Sequence, residues 1–240
     1  MLLHTQGDSA VCIGQAAHSW ISGRLARQWG NEAVPRPEPF AEVCLGAEQH
    51  DIGMAEWDRR PELNPETGWP MSFLDLPLAT HIALWTEAPE RILSQSPYAA
   101  VLVSKHGHAL FTKREPTPEI ERYLREQEAL QEDLLERIGA DRDEAALNQQ
   151  LVWALDHLAL VGLIPDWAPQ DNPVGDALTL HVEMAGERHV TVDPWPFDVG
   201  EITLSYPGRR LDQRSSTEPE LHARLAAAPW VYIPVTWSPG

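Results

Sequence analysis

The chain is poor in cysteine and in positive charge, and it has no long apolar run. Its 240 residues include two cysteines, Cys12 and Cys44. They are too few to staple a domain of this size and are not spaced as a CxxC pair, so they read as reduced thiols of a cytoplasmic protein. Lys and Arg number 18 against 36 Asp and Glu, a formal charge of -18. Phosphate polymers need basic patches and none of any length occurs, which excludes a nucleic-acid polymer as the main partner. No window reaches the roughly 18 apolar residues of a membrane span, and MLLHTQGDSAV at the N-terminus lacks a basic segment followed by an apolar one, so no membrane association is expected. Internal repeats, Walker loops, dinucleotide fingerprints and GxSxG elbows are also missing.

What is present is helical punctuation. From Cys12 to Gly30 the spacing predicts an amphipathic helix, with Ile21, Leu25 and Trp29 following His18 on one face and Gly30 as the stop. A second helix starts near Pro39, where Phe40, Val43, Cys44 and Ala47 mark an inward face that runs into His50-Asp51. Residues 58–76 show turn chemistry without helical periodicity, which suggests a lid. Next come a short helix with Leu78, His81 and Trp85 on one face, and another opened by Ser96 and Pro97, carrying Tyr98, Leu102 and His106 and closed by Gly107. Thr117-Pro118 opens a helix that ends at Gly139. Asp141 with Glu144 opens the last long one, in which Asp156 sits between Val152 and Leu160, one turn to either side.

After Pro165 the pattern alternates: Leu178, Leu180, Val182 and Met184 share a face, HVTV follows a turn, and EITLSY and WVYIPVTW read as further strands around a short helix. The expected fold is therefore mainly α, a helical bundle over residues 1–164 with a small antiparallel sheet over 165–240 packed on it. That sheet is compatible with completing the core, capping a pocket or forming a homodimer.

Five helices thus point a His or Asp inward: His18, His50-Asp51, His81, His106 and Asp156. A lone buried histidine is usually satisfied by a backbone carbonyl. Two buried carboxylates beside four imidazoles make little sense as packing, since each unpaired carboxylate costs several kcal/mol, but they are a complete ligand set for divalent cations.

The order His, His-Asp, His, His, Asp along the helices resembles the HD-domain superfamily of metal-dependent phosphohydrolases, over roughly residues 12–162, and HDIGMAEWD, FLDLP, HIALW and LVSKHG resemble an uncharacterised bacterial branch of it. The resemblance implies an HD-domain-like bundle with two divalent ions (Fe, Mn, Mg, Zn or Ni). His18, His50, Asp51 and Asp156 would hold one, and Asp51 would bridge to a second on His81 and His106. Cyclic-dinucleotide phosphodiesterases of this superfamily have Lys where this chain has Met54, and adjacent histidines where it has His106-Gly107-His108, so that substrate is not implied. Di-iron oxygenases with the same ligand set give the alternative activity, and a non-catalytic metal-binding module a third.

The expected function is hydrolysis of a small phosphorylated metabolite or nucleotide, with water activated between the ions. Asp51 fixes the metal spacing, Asp58 is a candidate general base, and Lys105 a candidate for holding phosphate, as are Arg59, Arg60 and Arg114, whose plainer reading is surface charge. Trp57 and Trp69 flank the lid and are placed to stack on a base or sugar. Trp20, Trp29, Trp85 and Trp153 read as core. His108 and His157 neighbour the ligands but face other sides of their helices, and His4, His181, His189 and His222 have no assigned role.

Overall fold

The computed structural model describes residues 1–240, apart from the side chain of Gln6, and it opens with a hairpin. Strand β1 (Leu2–Gln6) turns at Gly7, whose φ of 57° suits a residue without a Cβ, into β2 (Ser9–Ile13). The helices follow: α1 (Gln15–Ala26), α2 (Phe40–Gln49), α3 (Ala55–Arg59), α4 (Leu78–Glu87), α5 (Glu90–Leu93), α6 (Pro97–Thr112), α7 (Pro118–Ile138) and α8 (Arg142–Val161). Strands β3 (Gln170–Val174), β4 (Leu178–Gly186), β5 (His189–Asp193) and β6 (Ile202–Leu211) come next, then α9 (Glu218–Ala227) and β7 (Trp230–Pro239).

All seven strands form one sheet in the order β1-β2-β6-β7-β5-β4-β3, and every pairing is antiparallel except β5 with β7. The chain is 49% helical and 22% strand in a half-barrel arrangement, which overturns the expected mainly α fold with a small C-terminal antiparallel sheet. The reason lies in residues 9–13. Their apolar side chains continue the stripe of α1 on paper, but Ala10 and Cys12 are buried because β2 is zipped to the distant β6, Ala10 opposite Leu211 and Cys12 opposite Arg209. A division at residue 164 therefore runs through a single sheet.

Helix α8 is buried on almost every side because it lies between the sheet and the other helices. The Tyr206 hydroxyl donates to the Ala159 carbonyl at 2.6 Å, the Trp237 indole donates to the Leu158 carbonyl at 3.0 Å, and Gly162 gives Val235 room to approach. Both buried aromatics thus satisfy their polar ends on α8 while their rings fill the shared core. The caps read from the sequence are present: Ser96 Oγ accepts from the Ala99 N–H, Thr117 from Ile120, and Asp141 from Asp143 and Glu144, and Gly139 ends α7 in the left-handed region. Gly107 does not close its helix. It lies mid-way along α6, where Trp85 and the Tyr123 hydroxyl press on its Cα and leave no space for a side chain.

The suspected lid is anchored. Trp57, Trp69 and Leu76 fill a second, smaller core with Met1, Cys12, Leu211 and Leu221, and Gly68 accepts a backbone hydrogen bond from Ser215. Trp57 and Trp69 are therefore packing residues. No helix among the described residues is long and apolar enough to cross a membrane.

Candidate metal centre

Four helical segments deliver the charged and imidazole side chains to one point. His18 comes from the inward face of α1, His50 and Asp51 from the end of α2, His106 from the middle of α6 and Asp156 from α8, all of them buried. His18 is clasped by both acids, Nδ1 at 3.1 Å from Asp51 Oδ2 and Nε2 at 2.7 Å from Asp156 Oδ1. His50 donates from Nδ1 to the Ala47 carbonyl at 2.8 Å, the bond that the turn of α2 offers a residue at its C-terminus. That bond aims Nε2 inward, 3.5 Å from Asp51 Oδ2 and 3.4 Å from Asp156 Oδ1. His106 Nε2 lies 3.6 Å from Asp156 Oδ2. Donor atoms of His18, His50 and Asp51 lie within 4.8 Å of one another, as do those of His50, His106 and Asp156.

These contacts fit a cation better than they fit a hydrogen-bond network. His50 Nε2, the atom aimed at both acids, is buried without a hydrogen-bond partner, a cost of about 1–3 kcal/mol if left so. Burial alone would strip the proton from His50, but the carboxylates of Asp51 and Asp156 overcome it and hold its pKa up at about 10; His18 is raised in the same way against its burial. Burial works to raise Asp51 and Asp156, yet His50 and His18 hold both carboxyls well below their ordinary range. For His106, burial and then the neighbouring His50 lower the pKa to about 4, so its ring is neutral. Two ionised carboxylates and three imidazoles around one point are what a divalent cation requires, and the His50 bond to Ala47 fixes the ligating tautomer.

The centre forms the floor of a cavity of about 620 Å³. Trp85 stacks on His106 with ring centroids 5.6 Å apart, and Trp153 lies 5.3 Å from the same ring. Phe73 and Leu74, from the anchored segment after α3, and Trp167, after α8, complete the walls. Lys113 and Arg114 bring positive charge to the rim. Lys113 Nζ sits 3.7 Å above the Trp153 ring, and Arg114 donates to His81 Nδ1 at 2.7 Å. Sequence reasoning named Arg114 but missed Lys113, although its place seven residues after His106, two turns along the same face, was the available signal. It also missed Gln15, whose side-chain amide reaches Asp51 Oδ2 at 3.4 Å, and it took Trp153 for core.

The remaining candidates fall elsewhere. His81 lines the cavity but is bonded to Arg114 and joins neither donor group. Asp58 is buried outside the cavity lining: Oδ1 pairs with the Met1 amine at 3.1 Å, and Oδ2 accepts from the Gln15 N–H at 2.5 Å, tying α3 to the start of α1. Lys105 is half-buried on another face of α6, away from the cavity. Arg59 pairs with Glu56, and Arg60 is exposed. His157 lines the cavity, with Nδ1 accepting from Asn172, whereas His108 pairs with Glu128 on the surface, and Trp20 is partly exposed beneath Arg24.

Comparison with known proteins corrects the expected HD-domain identity. No curated protein and no solved structure matches the chain. The family model that does match, over residues 1–213, is described as a protein of unknown function (DUF3891), and the seven-stranded mixed sheet is not that of an HD-domain helical bundle. What prompted the HD-domain expectation was the ligand order, which describes a site and leaves the sheet on which its helices rest unspecified. With almost nine tenths of its length under that one match, the chain belongs to the DUF3891 family.

Proposed function

We propose that the protein is a metal-dependent phosphohydrolase acting on a small phosphorylated molecule. The observation that carries this reading is the convergence of three histidines and two aspartates beneath a cavity whose rim holds Lys113 and Arg114. In a chain of net charge -18, two cations placed beside an acidic floor are the local exception, and they suit an anionic ligand.

His18, His50, Asp51 and Asp156 are the residues that would hold a divalent cation, with His106 next to them. Such an ion supplies charge neutralisation at a phosphoryl oxygen and acidifies water, the two requirements of phosphoester hydrolysis. The rest falls to the chain's own groups. Asp51 and Asp156 are ionised and buried, so they fix a cation and repel an anion in its absence. Lys113 is held over Trp153 and faces the field of Asp156, which places it to bind phosphoryl oxygens turned away from the floor. Trp85, Trp153, Trp167 and Phe73 exclude water around that position and provide apolar surface for the rest of the substrate.

The test is hydrolysis of a panel of phosphomonoesters, nucleotides and cyclic dinucleotides by protein loaded in turn with Mn, Fe, Zn, Ni and Mg. Phosphate release that needs the metal and falls at least 100-fold in Asp51→Asn supports the reading. Metal-loaded protein that turns over none of the panel would refute it, and oxygen consumption by the iron form would favour oxygenase chemistry instead.

A further inference from the structure

His81 was expected to hold a second metal ion with His106. The hydrogen bond it makes forbids that role as the side chains stand. A guanidinium has only donors, so the ring nitrogen that Arg114 approaches at 2.7 Å, Nδ1, must offer its lone pair. A neutral imidazole has one lone pair to give, and the proton therefore sits on Nε2, leaving no atom free to ligate a metal. The ring is neutral for two reasons. It is buried, with 6% of its surface exposed, and the adjacent guanidinium opposes a second positive charge; together they lower its pKa to about 4. Arg114 is itself fixed, with its Cζ 5.0 Å from the Phe111 ring, and Phe111 in turn packs edge-on against His81 at 5.4 Å.

We propose that His81 is a neutral hydrogen-bond donor, locked as its Nε2–H tautomer by Arg114, and that with Arg114 and Lys113 it forms a phosphate-binding subsite beside the metal centre. All three residues line the one cavity, and all three offer donors only: an N–H, a guanidinium and an ammonium. The acidic groups on the same cavity are Asp51, Asp156 and Asp166. Asp51 and Asp156 would be held by the cation, which leaves this donor set as the part of the lining that suits an anion. The subsite rests on the phosphohydrolase reading only for the identity of its natural anion. It also reduces the expected ligand set, because the centre loses its fourth histidine.

Inorganic phosphate titrated calorimetrically into metal-loaded protein tests this, with elemental analysis of each variant alongside. His81→Ala should keep the wild-type metal content and bind phosphate about tenfold more weakly, the size of one hydrogen bond to a charged group. His81→Asn should recover most of that affinity, because an amide can accept from Arg114 and donate to phosphate at once, while being a poor metal ligand. Nitrogen NMR of histidine-labelled protein should show His81 protonated at Nε2. Loss of metal in both variants, unchanged phosphate affinity in His81→Ala, or a wild type that binds no phosphate would each overturn the subsite. Phosphate binding that depends on His81 in a protein that hydrolyses no phosphoester would retain the subsite and remove the hydrolase reading.

Discussion

At the scale of single residues, two histidines of similar burial have opposite chemistry because of what their Nδ1 atoms meet. His50 donates from Nδ1 to a backbone carbonyl and turns Nε2 toward two acids, while His81 accepts from Arg114 at Nδ1 and keeps its proton on the other side. This difference was not legible in the sequence. Helical spacing placed both rings inward, but the partner of His81, Arg114, lies 33 residues away just past the end of α6, and no local pattern joins them. His81 also gives a pH dependence. An unfolded histidine binds its proton near pH 6.5, whereas this one refuses it until about pH 4, so stability present above 6.5 is lost as the pH falls toward 4. The loss is at most about 3 kcal/mol, at 1.36 kcal/mol per unit. Urea midpoints of His81→Asn should therefore fall less between pH 6.5 and 4.5 than those of wild type. An equally steep acid limb would show that His81 does not titrate in this way.

At the scale of elements, the helices were legible where their ends are chemically marked. Ser96, Thr117 and Asp141 cap the helices they were expected to open, and α2 begins immediately after Pro39. Two features escaped. Strands β1 and β2 are five residues each, and β2 pairs with β6 across almost the whole length of the chain, so the end of β2 was absorbed into the apolar stripe of α1. Gly107 looked like a stop signal, but its function is contact between α6, Trp85 and Tyr123. Gly107→Ala is therefore expected to destabilise, by about 1–3 kcal/mol from overpacking, even though alanine is the better helix former. A measured gain in denaturation midpoint would mean that Trp85 and Tyr123 yield easily, and would weaken the case that Trp85 holds the His106 ring in place.

At the scale of the whole molecule, the helices that carry the centre and the sheet share one core. Leu155, Leu158 and Val161 of α8 belong to the same buried cluster as Val182, Tyr206 and Trp237 of the sheet. Thermal unfolding should accordingly show one transition by both far-ultraviolet and tryptophan signals, and Trp237→Ala should lower stability by about 3–5 kcal/mol through the loss of a large buried ring. A sheet that melted separately from the helices would contradict this. The site was more legible than the fold: five of the six proposed ligands meet, because inward helical faces must converge on a common interior, whereas the strand order depends on pairings no short window contains.

A cation joining α1, the end of α2, α6 and α8 is the claim on which site and function both depend, and metal content tests it most directly. Protein purified without chelator should carry about one divalent ion per folded chain, and His50→Ala and Asp51→Ala should carry almost none while keeping their helical signal. Wild-type protein free of metal after growth in metal-supplemented medium, or variants that retain the wild-type content, would contradict it.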